Sequence, residues 1–187
     1  MGMCRLPFPI LQDRRNKRQA MEITRLIKKQ VPFSLSEFCI DGVASCPNDV
    51  REKIWKYHIS PVLNVRKKMG VGITASEKSC YRPFKWEIKQ DRSGNSQHTF
   101  GVGKDEEVRE HHLGACDWTI FKRDKFFKDH LRHLHKLLIE DTLYTRICLY
   151  PTFIHCDYKA RDGKKYLFVE EGGKWVLDKK ISIHEIS

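Results

Sequence analysis

Apolar residues recur at helical spacing in three parts of the chain. Over residues 122–139 they form one stripe, with lysine, arginine and aspartate on the other side, which predicts an amphipathic helix. A second helix is predicted for residues 48–69, where apolar positions recur every three to five residues and Gly70 provides a stop signal. Pro61 predicts a kink or a division within it. Residues 13–30 predict a peripheral basic helix.

Short segments of strand composition lie between and after these helices. Strands are predicted at residues 71–76, 115–119, 146–150, 154–158, 166–169 and 175–177. Asp162-Gly163 predicts a hairpin turn over residues 160–165. The pattern favours an α+β fold with a small, mainly antiparallel sheet and helices packed on one of its faces.

Length and composition are compatible with one folded domain. The chain has 187 residues, of which 40% are hydrophobic, enough for a core but too few for two well-developed domains. Ser34 and Glu37 form a capping-box pattern, which predicts a short helix or turn where the compact domain begins. We predict a basic N-terminal extension over residues 1–32 and a folded domain over residues 33–187.

Positive charge is concentrated near the N-terminus. The formal net charge is +11, and residues 1–30 carry eight lysines and arginines against two acidic residues. This excess of positive charge favours contact with an anionic partner, which could be nucleic acid, lipid or cell-wall polymer. The alternative is that the basic residues form the solvated face of a helix. No apolar run is long enough to span a membrane, and residues 1–10 lack the apolar region of a secretory signal. We expect a monomer made in the cytoplasm without a signal peptide.

Two histidines and one aspartate form the most specific chemical pattern in the sequence. His98 follows Ser96 and precedes Gly101, whereas Asp117 and His155 lie in predicted strands. Catalytic zinc takes three protein ligands of these types and leaves a fourth position for water, whose pKa the metal lowers. We predict one zinc ion per chain, bound by His98, Asp117 and His155 on the face of the sheet away from the helices.

A second carboxylate lies beside the third of these ligands. Asp157 is two residues after His155, so in a strand both side chains point to the same face. A carboxylate beside the water that zinc activates is a candidate general base. The alternative is a carboxylate that orients His155 by a hydrogen bond.

The remaining histidines and cysteines are not predicted to bind metal. Seven cysteines without a C-x-x-C pair indicate neither a zinc ribbon nor a disulfide framework, and favour buried free thiols. Cys116 and Cys156 adjoin candidate ligands, but strand alternation places them on the opposite face. No H-E-x-x-H arrangement accompanies the histidines of the predicted helix, which are His130, His133 and His135.

The motifs Ser96-x-His98-x-x-Gly101, Ala115-x-Asp117 and His155-x-Asp157 resemble those of the zinc D-Ala-D-Ala carboxypeptidase family. That family includes phage endolysins that cut peptidoglycan stem peptides, and it shares its fold with the zinc domain of hedgehog proteins. The similarity spans residues 33–175 and is greatest to short phage and prophage forms. It implies a zinc peptidase that acts on peptidoglycan stem peptides at the bacterial cell wall, as a carboxypeptidase or an endopeptidase.

The resemblance also implies roles for single residues. Its zinc ligands correspond to the three predicted above. Arg82, in a Tyr-Arg motif, is implied to hold the substrate carbonyl or oxyanion, a role that suits a planar cation. Ser96 is implied to help hold the substrate, and Trp175 to be structural.

The chain departs from the family pattern at two places. An insertion of 12 residues, 102–113, separates His98 from Asp117, and His111 within it offers a second match to the first ligand. Both have a glycine three residues later, but only His98 also has the serine two residues before it. Thr152 stands where several members carry an acidic residue, which keeps open a catalytically inactive zinc-binding domain. The basic N-terminus keeps open a nucleic-acid-associated binding protein.

Overall fold

The computed structural model describes residues 33–105, 107, 109, 111–121 and 125–183. The chain divides into two compact units, residues 1–34 and residues 35–187. The basic helix predicted over residues 13–30 lies outside the described residues. In the described part, no helix is long and apolar enough to cross a membrane.

The second unit confirms the predicted single α+β domain, with one six-stranded sheet and helices. Helix α1 is continuous and consists of Asn48–Lys53, Ile54–Ile59 and Ser60–Met69, followed by α2 (Phe84–Lys89) and α3 (Phe127–Asp141). The strands are β1 (Ile73–Ala75), β2 (Ala115–Ile120), β3 (Arg146–Leu149), β4 (Ile154–Asp157), β5 (Lys164–Glu171) and β6 (Lys174–Ser182). Helix α2 was not predicted, because its six residues are too short to show a helical period.

The strand order is β1-β2-β4-β3-β5-β6, and every neighbouring pair is antiparallel except β3 with β5. This confirms the mainly antiparallel sheet. The hairpin predicted over residues 160–165 is wrong, because β3 lies between β4 and β5 in the sheet. Asp162-Gly163 is instead part of a connection that crosses β3. The hairpin forms between β5 and β6, where Gly172 and Gly173 have φ of 58° and 81°.

Helix α1 passes through Pro61 without a break. The middle segment, Ile54–Ile59, is π-helical, and the N–H of Ser60 donates to the carbonyl of Trp55, five residues back. Pro61 has no N–H to donate within the helix. The carbonyl of Tyr57 accepts a hydrogen bond from Oη of Tyr158 at 2.6 Å. The predicted division thus takes the form of a π-helical segment that ends directly before Ser60 and Pro61, where α-helical geometry resumes.

The core lies between the helices and one face of the sheet. Leu131, Leu134 and Leu138 on α3 are buried, and α3 packs on both α1 and β2. Cys116 and Trp118 point to this face by strand alternation and are fully buried. The described cysteines are all free and buried, as predicted; they are Cys39, Cys46, Cys80, Cys116, Cys148 and Cys156.

A buried hydrogen-bond chain ties α1 to the start of β2. Nε1 of Trp118 donates to Oη of Tyr144 at 3.0 Å, and Nδ1 of His58 lies 3.0 Å from the same oxygen. Nε2 of His58 lies 2.9 Å from the carbonyl of Leu113. Because a carbonyl only accepts, Nε2 carries the proton and Nδ1 accepts from Tyr144. Burial lowers the pKa of His58 to about 3, so the imidazole is neutral.

Candidate metal centre

The three predicted metal ligands meet on the face of the sheet opposite to α1 and α3. Asp117 on β2 and His155 on β4 are directly opposite each other, which puts both side chains on one face. His98 comes from a 3-10 turn, Gln97–Thr99, and all three residues are buried. The structure therefore brings together residues that are 19 and 38 positions apart in the chain.

Two of the three distances between the facing atoms match the spacing of metal ligands, and the third is that of a hydrogen bond. Nε2 of His98 lies 3.3 Å from Nδ1 of His155 and 3.4 Å from Oδ1 of Asp117. Nδ1 of His155 and Oδ1 of Asp117 are hydrogen-bonded at 2.7 Å. Ligands about 2.1 Å from a tetrahedral zinc ion are about 3.4 Å apart. In the described part of the chain, this His-Asp-His group could hold a metal ion.

The outward atoms of the same three side chains are held by the protein. Nδ1 of His98 donates to the carbonyl of Cys80 at 3.1 Å. Oδ2 of Asp117 accepts from Oγ of Ser79 at 2.5 Å. Nε2 of His155 lies 3.1 Å from Oδ2 of Asp157. Such contacts fix the tautomer and the ring orientation of metal ligands, and here they aim a donor atom of each residue at a common point.

The protonation of each of these three side chains depends on the other two. Burial lowers the pKa of His98, which keeps it neutral. For His155, burial also acts to lower the pKa, but hydrogen bonds to Asp117 and Asp157 outweigh it and raise the pKa to about 9. Against the effect of burial, His98 and His155 hold the pKa of Asp117 well below its usual range. A metal ion would replace the proton on Nδ1 of His155, because a histidine ligand offers a lone pair.

Asp157, the predicted general base, is fully engaged by other side chains. It is 0% exposed. Its carboxylate accepts hydrogen bonds from Arg146: Nε donates to Oδ1 at 2.8 Å and to Oδ2 at 3.1 Å, and Nη2 also donates to Oδ2. Oδ1 also accepts from the N–H of Lys159 at 2.9 Å. Despite burial, the hydrogen bonds from His155 and Arg146 lower its pKa. These contacts favour the alternative that the sequence left open, a carboxylate that orients His155.

Arg82 contacts the candidate ligand Asp117 directly. Its Nη2 donates to Oδ2 of Asp117 at 2.9 Å and to Oγ of Ser79. Its Nη1 lies 3.6 Å from Oε1 of Glu87, a buried carboxylate on α2. The side chain is 14% exposed, so a small part of the guanidinium reaches solvent. The contacts show Arg82 holding Asp117, and its predicted role at the substrate stays a prediction.

Ser96 contacts the backbone of the first ligand. Its Oγ accepts a hydrogen bond from the N–H of His98 at 3.3 Å, and this caps the turn Gln97–Thr99. Oγ1 of Thr99 also donates to the Ser96 carbonyl at 2.9 Å. The serine of the motif thus positions His98, and its implied contact with substrate stays a prediction.

The residues that flank the insertion over residues 102–113 lie close together beside the candidate ligands. Gly114 has φ of 85°, and a Cβ there would lie 2.2 Å from the ring of Phe100. This close approach brings the start of β2 beside the turn that carries His98. His111 is exposed, its ring lies 4.5 Å from that of His112 at an inclination of 53°, and it is not part of the ligand group. The structure therefore favours His98 over His111 as the first ligand.

Residues that the sequence did not indicate support the site from outside. Arg146 is opposite Asp157 in the register of β3 and β4, and no motif marks it. Its guanidinium lies over the ring of Trp175 at 5.1 Å, and that ring lies 5.1 Å from the His155 ring. Ser79 and Cys80, which contact Asp117 and His98, immediately precede the Tyr-Arg motif. This adjacency was the one feature of the sequence that could have indicated their role.

The two cysteines that adjoin candidate ligands point to the opposite face, as strand alternation predicted. Cys116 and Cys156 are opposite each other on the core face, and burial raises both pKa values well above the usual range. Cys148 lies beside His155 on the metal-centre face, but burial raises its pKa to about 12 and keeps it a neutral thiol. Among the described residues, the α3 histidines are not part of a potential metal group.

Comparisons with known proteins found no relative of this chain. No protein-family model, curated protein or solved structure matches it. The resemblance to the zinc carboxypeptidase family therefore rests on the motifs quoted for it.

Proposed function

We propose that the protein is a zinc-dependent metallopeptidase that hydrolyses peptidoglycan stem peptides. The observation that carries this proposal is the arrangement of His98, Asp117 and His155, whose donor atoms converge while their outward atoms are tied to the protein. Two imidazoles and one carboxylate are a donor set of catalytic zinc, which leaves a fourth position open. One ion would bind per chain.

Each neighbouring residue has a definite task in this proposal. Bound zinc supplies a Lewis acid and a water of lowered pKa. Asp157 and the carbonyl of Cys80 keep both imidazole lone pairs directed inward. Arg82 holds Asp117, and in this proposal the exposed part of its guanidinium binds the carbonyl oxygen of the peptide.

The substrate class comes from the resemblance. Stem peptides of peptidoglycan, cut at the bacterial cell wall during phage lysis or wall remodelling, are the substrates that the family implies. The basic N-terminal region would add contact with an anionic wall polymer, because residues 1–30 carry a large excess of positive charge.

One observation favours a second candidate, a zinc-binding domain of the same fold without catalytic activity. The carboxylate nearest to the ligands, Asp157, is committed to Arg146 and His155. Thr152 occupies the position at which several family members carry an acid, and it is exposed. Such a protein would bind zinc and peptide without turnover.

Metal analysis combined with peptidoglycan turnover tests both candidates. The purified protein should contain about one zinc per chain and release new amine termini from peptidoglycan. His98→Ala should lose both properties, and the matched variant His111→Ala should keep both.

Each other result has a definite meaning. Zinc without amine release would establish the inactive domain. Zinc and activity that persist in His98→Ala and disappear in His111→Ala would move the ligand into the insertion. Iron in place of zinc would overturn the peptidase, since two histidines and one carboxylate also bind iron in oxygenases. Nucleic-acid binding without metal or turnover would favour the basic binding protein.

A further inference from the structure

The face of the sheet that carries the metal centre continues across β3 and β5. Directly paired residues on neighbouring strands point to the same face, so successive partners define a row of side chains across the sheet. This row is Asp117, His155, Cys148, Phe168 and Leu177. Phe168 therefore lies on the same face as the ligands, two strands away from His155.

Three aromatic rings form a strip that begins at the metal centre, and we call it the aromatic strip: Trp175, Phe168 and Tyr166. The ring centroid of Trp175 lies 5.1 Å from that of His155 and 5.2 Å from that of Phe168. The rings of Phe168 and Tyr166 are 6.5 Å apart and inclined by only 14°. All three strip residues are half-buried, so each ring is partly open to solvent.

Other contacts hold the inner end of the strip in place. Nε1 of Trp175 donates to Oη of Tyr150 at 2.5 Å, and the ring of Tyr150 stacks on Phe153 at 4.3 Å. Arg146 covers Trp175 at 5.1 Å. A row of rings fixed in this way is pre-organised to stack on flat, partly apolar faces, such as those of sugar rings or nucleobases.

The charges beside the strip distinguish these two ligands. Sites for single-stranded nucleic acid combine stacking rings with an open basic groove. The cations that lie on the rings here have acidic partners: Arg146 is bonded to Asp157, and Lys180, over Tyr166, lies 3.8 Å from Asp162. Oη of Tyr166 also donates to Asp162 at 2.6 Å. Balanced charge with polar groups at the edge fits an uncharged polyhydroxylated chain better than a polyanion.

We propose that the aromatic strip binds a β-linked N-acetylhexosamine chain, the glycan to which stem peptides are attached. The glycan would lie across Tyr166 and Phe168 and against Trp175, and its attached peptide would extend from there to the ligands. The identity of the glycan rests on the proposed peptidase function. The stacking surface itself does not, because it consists of residues that bind no metal.

The test is a titration of the full-length protein, as purified, with a hexamer of β-1,4-linked N-acetylglucosamine. The indole N–H signal of Trp175 is followed by NMR and assigned with Trp175→Phe. We expect this signal to shift on titration. Tyr166→Leu and Phe168→Leu keep apolar volume but remove a ring, and each should weaken binding about tenfold. Phe121→Leu, an exposed ring after β2, should bind like the wild type.

The outcomes separate the strip from the peptidase. The hexamer carries no stem peptide, so its binding requires no turnover. Binding by a protein that releases no amine termini would leave the strip standing and remove the peptidase. A wild-type Trp175 signal unaffected by the hexamer would overturn the strip, whether or not the peptidase is active. Tighter, salt-sensitive binding of a thymidine decamer through the same rings would overturn the glycan in favour of nucleic acid.

Discussion

Oδ2 of Asp157 lies 3.1 Å from Nε2 of His155, two residues earlier on the same strand. This hydrogen bond leaves the other imidazole nitrogen, Nδ1, directed at Asp117 and His98. The carboxylate is held in turn by Arg146 from β3. The orientation of one candidate ligand thus depends on a pair of buried charges behind it.

Asp157→Asn should weaken zinc binding about 10- to 100-fold, because the amide orients His155 less strongly. It should also lower the free energy of unfolding by about 3 to 5 kcal/mol, since Arg146 loses its buried partner. Chelator competition and urea denaturation measure the two effects. Asp129→Asn removes an aspartate that is 76% exposed on α3, and it should change neither quantity. Unaltered zinc affinity in Asp157→Asn would contradict the orienting role.

Arg82→Met should weaken zinc binding by about tenfold, because Oδ2 of Asp117 loses its charged partner. The matched control is Arg92→Met. Arg92 is 48% exposed and approaches Glu87 at 3.7 Å, as Arg82 does at 3.6 Å, whereas the hydrogen bond to Asp117 comes from Arg82. A variant of Arg82 that keeps zinc affinity and loses only kcat/KM would show that the arginine acts on substrate alone.

His58 should make the fold sensitive to acid. Its pKa is about 3 in the folded protein and about 6.5 when unfolded, so the unfolded chain binds more protons between these values. Stability is therefore full above pH 6.5 and falls as the pH drops towards 3, by up to about 5 kcal/mol over the whole range. Urea denaturation at pH 7 and pH 4 should show a smaller loss in His58→Gln. An equal loss in both proteins would assign the sensitivity to other groups.

Gly114→Ala should destabilise the protein by about 2 to 4 kcal/mol, because strain at positive φ adds to overlap with Phe100. Gly172→Ala is the matched control. Gly172 also has positive φ, but nothing lies within 4 Å of its Cβ position, so only the strain of about 1 to 2 kcal/mol remains. Thermal melts compare the two variants. Equal melting temperatures would show that the Phe100 ring moves aside freely.

Local patterns were enough to predict most of the fold. Helix α3 follows from its leucine stripe, and α1 ends at Gly70, which adopts φ of 67° as a left-handed helix stop requires. The strands that carry Asp117 and His155 were also found from composition, and alternation placed Cys116 and Cys156 on the opposite face. These features depend on neighbours within a few residues, which a sequence displays directly.

Strand pairing and the partners of the ligands depended on tertiary structure. The Asp162-Gly163 turn could not reveal that β3 lies between β4 and β5, because turn residues specify a reversal and not the strand that pairs. Arg146 reaches Asp157 only through the register of β3 with β4, and the aromatic strip exists only because β5 continues that row. The sequence determined which side chains could bind a metal. The long-range register decided which charges hold them and which rings lie beside them.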